Sequence, residues 1–307
     1  MKRLVLQPIK KMLKKQGKVW KHTFQSFFQN HSFRHGAALS YYTLMALVPI
    51  LYLALMVFGS IMGYDYIETN IRHLFTEVVG KESIDTIFAA INEIDLSSSP
   101  WYIKTITILT LIYTTTAVFN ILKININQIW NLNIEHRKLV IKIVLDRLLA
   151  FLFLLSLSII FILIFVAETV VLSFNQLLYN HDLYALNTFV VIIEHLIAIF
   201  LNVVLFFYLF RWLPDGKVKK KYVFVGSAFT ATFFYLGQFI LSWYLGSITY
   251  VKDLGAAGAI MIILVWLYYS SQIFFLGATY IKEYANTDGF PILPKNDRFL
   301  KRKKDYN

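Results

Sequence analysis

Residues 34 to 62 read RHGAALSYYTLMALVPILYLALMVFGSIM, and the reading of this stretch decides the fold. Past His35 it carries no charged side chain until Asp65. At about 1.5 Å of rise per residue it covers the roughly 30 Å hydrocarbon core of a bilayer with some tilt, so it reads as a membrane-spanning helix. Two features mark it as more than an anchor. Ser40, Tyr41, Tyr42 and Thr43 form a polar group about two turns inside, and Pro49 stands near the middle. Pro49 has no N–H and its ring clashes with the Met45 carbonyl, which then needs another partner in a medium without water. A kinked, partly polar helix is expected to sit inside a bundle. The plainer reading is that proline and interfacial tyrosine are common in membrane helices.

Composition agrees with a membrane protein. Of 307 residues, 57% are hydrophobic and 16% charged, against about 25% charged in a soluble domain. The absence of cysteine excludes a disulfide framework, a thiolate metal site and a thiol nucleophile. A net charge of +12 raises nucleic acid as a partner, but a polytopic membrane protein gathers Lys and Arg on one side for insertion reasons alone.

Working outward, residues 1–33 pair a basic face (Lys10, Lys11, Lys14, Lys15, Lys18, Lys21) with apolar residues at three- and four-residue steps (Ile9, Met12, Leu13, Trp20, Phe24, Phe27, Phe28). This amphipathic segment is expected to lie on the anionic phospholipids of the inner leaflet. No compact apolar core with a small-residue cleavage site follows the basic start, so it does not read as a signal peptide. Residues 64–99 are acidic, with helical apolar spacing broken at Gly80; two amphipathic helices on the outer side are expected there. Further spans are expected at about 101–122, 147–168, 185–210, 222–246 and 254–281, the first being 36–62. The fold class is therefore all-α: a six-helix transmembrane domain over 34–281, an interfacial N-terminal helix, and a basic tail over 282–307 expected to be mobile.

Six spans place both termini on one side. Nine basic residues precede the first span, five lie in 123–147, five in 211–221 and seven from 282 on, so 26 of 30 fall on the terminal side. That asymmetry predicts cytoplasmic termini and accounts for the charge without nucleic acid.

The stretch AALSYYTLMALVP (37–49) resembles the opening motif of the YihY/BrkB membrane-protein family, once labelled ribonuclease BN. The likeness continues in RWLPDGKVKKKYVFVGSAFTATFFYLGQFILSWYL (211–245) and GAAGAIMIILVWLYYSSQIFFLGATY (255–280), and in Trp130 followed by Arg137 and Lys138. It implies a polytopic inner-membrane protein without a settled biochemical activity, some members being associated with envelope properties and serum resistance. Where family members often read Gly-Ala-Glu near the end of the last span, this chain has Gly277, Ala278 and Thr279. A hydrolytic nuclease needs clustered carboxylates or histidines, and the acids on the terminal side are scattered, so ribonuclease activity is not expected. Neither a cofactor, a metal site nor a Walker loop is read from the sequence.

Ionisable groups inside spans are expensive and face the bundle or a wet cavity. Glu194 and His195 lie about eight to ten residues, or roughly 12–15 Å, from the outer end of the fourth span. Asn202 shares a face with His195, and Gln238 in the antiparallel fifth span reaches a similar depth. A polar site between these spans is one reading, and hydrogen bonds that set helix rotation are the other. As neighbours Glu194 and His195 point about 100° apart, so they cannot both face one narrow site. Arg34 stands at the inner mouth of the first span with the Tyr41, Tyr42 and Pro49 motif above it; snorkelling to phosphates is its default role. Gly255, Gly258 and Ala259 open the last span as helix-packing residues. These features suggest a transporter or flippase-like protein for a lipid or amphipathic envelope component. The competing reading is a non-catalytic scaffold of envelope assembly, a homo-oligomer or a partner of another envelope protein.

Overall fold

The computed structural model describes residues 2–29, 32–93, 100–132, 152, 184–247 and 256–295. The elements in order are α1 (Lys2–Gln29), α2 (Ser32–Met62), α3 (Tyr64–Val79), α4 (Lys81–Asn92), α5 (Trp101–Ile129), α6 (Tyr184–Trp212), β1 (Gly216–Lys217), α7 (Lys220–Ser247), α8 (Ala256–Thr287) and β2 (Leu293–Pro294). Among the described residues, five helices are long and apolar enough to cross a membrane: α2, α5, α6, α7 and α8. The span expected at 147–168 lies outside the described residues. The protein is thus an all-α membrane protein, with one pair of two-residue strands among the described residues.

The last helix, α8, is the post of the bundle. It packs against α2 on one side and α7 on the other, with α1 and α4 also laid against it, while α5 packs on α2 and α6 on α7. Lipid is as apolar as leucine, so such helices associate by close packing rather than by escape from water. Gly226 of α7 shows how close: a Cβ there would stand 2.1 Å from Ile281 Cγ1 of α8, and Ile281 is fully buried. Helix α2 runs unbroken through Pro49.

Both amphipathic segments pack against the bundle. Helix α1 lays one face on the bundle. Val19, Thr23 and Phe27 are buried, and Trp20 packs on Phe229, Phe233 and Tyr280. Ser26 donates to Glu283 at 2.8 Å, Tyr280 donates to Gln16 at 3.1 Å, and Lys15 pairs with Asp288. Its apolar stripe meets α7 and α8 because aromatic side chains of the bundle offer a closer fit than disordered acyl chains. Phe24 and Phe28 stay exposed. The acidic segment does form two helices, split at Gly80 with φ 83°. Their apolar stripe (Ile67, Ile84, Ile87, Phe88, Ile91) is buried in one cluster with Leu51 and Leu55 of α2 and Ile263 and Leu267 of α8. Arg72 staples the pair: it donates to Glu68 at 2.7 Å and Asp85 at 2.8 Å and lies 4.0 Å over the Phe88 ring.

The tail expected to be mobile from 282 is ordered through 295. Helix α8 runs on to Thr287, because Tyr284 and Ala285 are buried in the core. Gly289, at φ 76°, turns the chain, and β2 then pairs antiparallel with β1 in the α6–α7 loop. Residues 296–307 lie outside the described residues.

Candidate functional site

Among the expected polar groups, the structure brings His195 into contact with a residue the sequence reading passed over. The Tyr235 hydroxyl of α7 and His195 Nδ1 of α6 share a hydrogen bond of 2.6 Å, and both rings pack against Phe239. Which atom donates follows the imidazole tautomer. His195 is exposed and Tyr235 part-buried, so this is a polar pair on an open face of two apolar helices. Counting from Arg211 to His195, sixteen residues place the pair about 24 Å along the helix axis. Asn202 turns away from it: its amide donates to the Ala198 carbonyl of its own helix at 2.9 Å. Gln238 is part-buried one turn beyond Tyr235, and the Glu194 side chain lies outside what the structure describes.

In α2, Arg34, Tyr41 and Tyr42 are exposed, and the two tyrosine rings meet edge to face at 5.6 Å. Gly258 and Ala259 are buried at the start of α8, and Gly255 lies outside the described residues. Thr279 is fully buried and donates to the Phe275 carbonyl at 2.8 Å.

Two further polar sites went unread in the sequence. The first is Gln272, at the middle of α8. Both its amide atoms are buried without a hydrogen-bond partner, against Gly36 of α2, where a Cβ would stand 1.9 Å from Gln272 Nε2. Leaving such a group unpaired costs about 1–3 kcal/mol, and most buried polar atoms in proteins have a partner. The signal was the run Tyr268-Tyr269-Ser270-Ser271-Gln272, polar chemistry inside an otherwise apolar span.

The second is Asp215, in the turn after α6. It accepts from Lys123 at 2.9 Å and from the Asn127 amide at 3.0 Å. Its own N–H donates to Asn127 Oδ1 at 3.0 Å, and its carbonyl accepts from the Lys295 N–H at 2.7 Å. One residue thus ties α5, the α6–α7 loop and the C-terminal strap together. Nearby, Trp130 Nε1 donates to the Ala278 carbonyl at 2.9 Å. Asn131, at φ 55°, places its side-chain amide 3.2 Å from the buried Lys282 ammonium. Among the described residues no group of three or more His, Asp or Glu is placed to hold a metal ion.

The bundle and its polar pairs define a polytopic α-helical membrane protein. Residues 23–298 match the family described as Virulence factor BrkB, and the chain belongs to that family. It is similar to a UPF0761 membrane protein of Mannheimia succiniciproducens, with 25% identity over 82% of this chain and 84% of the relative. A UPF0761 membrane protein of Coxiella burnetii is 27% identical over 84% of this chain and 89% of its own length. One of Acinetobacter baylyi is 29% identical over 79% of this chain, which spans 56% of that longer relative. No solved structure matches.

Proposed function

We propose that this protein moves a lipid or an amphipathic envelope component within the bacterial inner membrane, along a polar face between α6 and α7, and that it is not an enzyme. The observation that carries the reading is the His195–Tyr235 hydrogen bond of 2.6 Å on the exposed face of two membrane helices. Imidazole and phenol both accept and donate, so together they can receive a polar head group or pass a proton. A packing-only polar residue behaves as Asn202 does, bonding to its own helix. The gathering of Lys15, Lys123, Arg211, Lys282 and Lys295 at one end of the bundle supports cytoplasmic termini.

Single cysteines at 41, 195, 202, 235 and 238 of this cysteine-free chain test the reading, using membrane-impermeant thiol reagents added from each side. Labelling at 195, 235 and 238 with little at 202 is the expected result. The variants His195→Ala and Tyr235→Phe should then slow movement of a fluorescent phospholipid in proteoliposomes at least tenfold while leaving the melting temperature within a few degrees. Positions that stay unlabelled while loop cysteines react, with unchanged lipid movement, would sink transport and leave the envelope scaffold.

A further inference from the structure

The turn after α6 gathers more positive charge than it neutralises. Lys123 is paired with Asp215, but Arg211 donates to the Val218 carbonyl at 2.6 Å and the Lys295 ammonium to the Pro214 carbonyl at 2.7 Å. Carbonyls hold these groups in place without cancelling their charge. Among the described residues, Asp215 is the one carboxylate in ion-pair contact with this trio, so three cations against one anion leave +2. The cations feel one another: burial foremost lowers the Lys295 pKa from its ordinary value, Asp215 raises it, and Lys123 and Arg211 lower it further. A second anion at this place would relieve that repulsion.

Position selects the anion. Arg211 and Trp212 end α6, and Trp212 is 65% exposed beside the cluster, as an indole at the level of lipid head groups is. The exposed Lys219, Lys220 and Lys221 follow directly. The strap also fixes the cluster, since Lys295 arrives only because β2 pairs with β1.

We propose that Lys123, Arg211 and Lys295 form a binding site for the phosphate of an anionic phospholipid, assembled by the C-terminal strap at the end of α6. The site does not depend on the transport reading above, and it is distinct from the exposed lysines of α1. The α1 face is a row of separate charges, whereas in this trio backbone carbonyls hold Arg211 and Lys295 and the Asp215 carboxylate holds Lys123.

The test uses the full-length protein in detergent micelles, titrated with dioleoylphosphatidylglycerol, with dioleoylphosphatidylcholine, and with sodium phosphate at matched ionic strength, binding being read by native mass spectrometry and melting temperature. Phosphatidylglycerol should bind and raise the melting temperature; phosphatidylcholine and free phosphate should not. At about fivefold per charge near a membrane surface, K123Q/R211Q/K295Q should weaken phosphatidylglycerol binding about 100-fold and K295Q alone about fivefold. Replacing the exposed Lys14, Lys18 and Lys21 of α1 by Gln should weaken it less than fivefold. Asp215→Asn removes the competing anion and should tighten binding several-fold, a gain that a merely structural role cannot produce. If the triple variant does not fold, K295Q and Asp215→Asn decide. Equal shifts from free phosphate, a larger loss from the α1 variant, or weaker binding in Asp215→Asn would each overturn the site.

Discussion

Replacing Gly226 by Ala should unfold the α7–α8 seam at lower temperature, and the geometry gives the size. The new Cβ would stand 2.1 Å from Ile281 Cγ1, 2.8 Å from Cδ1 and 3.5 Å from Cβ. Carbons rest at about 3.5–4.0 Å, so the helices must part by about 1.5 Å or Ile281 must leave its rotamer. Ile281 is fully buried and branched at Cβ, so neither route is free. Overpacking of this kind costs about 1–3 kcal/mol. Alanine regains up to about 1 kcal/mol of helix propensity over glycine, which leaves a net loss of up to about 2 kcal/mol. Purified protein followed through thermal unfolding by tryptophan fluorescence should melt several degrees lower. On an Ile281→Ala background Cγ1 and Cδ1 are gone, and the sign should reverse: Gly226→Ala now stabilises by up to about 1 kcal/mol. The two changes are then coupled by about 2 kcal/mol, within the range for residues in contact. An equal effect in both backgrounds, or no loss in the parent, would refute the notch and with it the seam that holds α7, and so Tyr235, in place.

Three other outcomes follow from the polar network. Asp288 is held below the usual carboxylate range, first by the hydrogen bond from Lys15 and, against the raising effect of burial, by that from Tyr222. Its folded pKa therefore lies below the unfolded value of about 3.9, and its stabilisation is full above that value and lost as pH falls through the folded pKa. Hydrogen exchange in α1 should accelerate below about pH 4 in the parent and change little further in Asp288→Asn. Asp215→Ala should cost about 1–2 kcal/mol, the side chains of Lys123 and Asp215 being 29% and 33% exposed and their attraction screened accordingly; exchange should rise in both residues 213–218 and the strap. Arg72→Ala should cost about 1–2 kcal/mol and loosen α3 from α4, and Arg72→Lys should not restore it, since an ammonium cannot reach Glu68, Asp85 and the Phe88 ring as one planar fork does; limited proteolysis at Gly80 reads the change.

What the sequence determined by itself is whatever depends on period and composition. Apolar stretches of bilayer length marked α2, α5, α6, α7 and α8, Gly80 was legible as a break, and the motifs at 37–49, 211–245 and 255–280 carried the family. These are local properties, set by each segment's own exchange between water and lipid. Tertiary structure alone decided which faces meet. The apolar stripe of α1 satisfies an inner-leaflet surface and a protein groove equally well on periodicity, and only the rings of α7 and α8 packed on Trp20 show that it meets protein. His195 was legible as an expensive residue, but its partner Tyr235 was one of 19 tyrosines until antiparallel helices set their depths together. Asp215 read as a scattered acid, because its worth comes from Lys123, Asn127 and Lys295, which stand up to 92 positions away in sequence (215 − 123) and meet only when the chain folds back on itself.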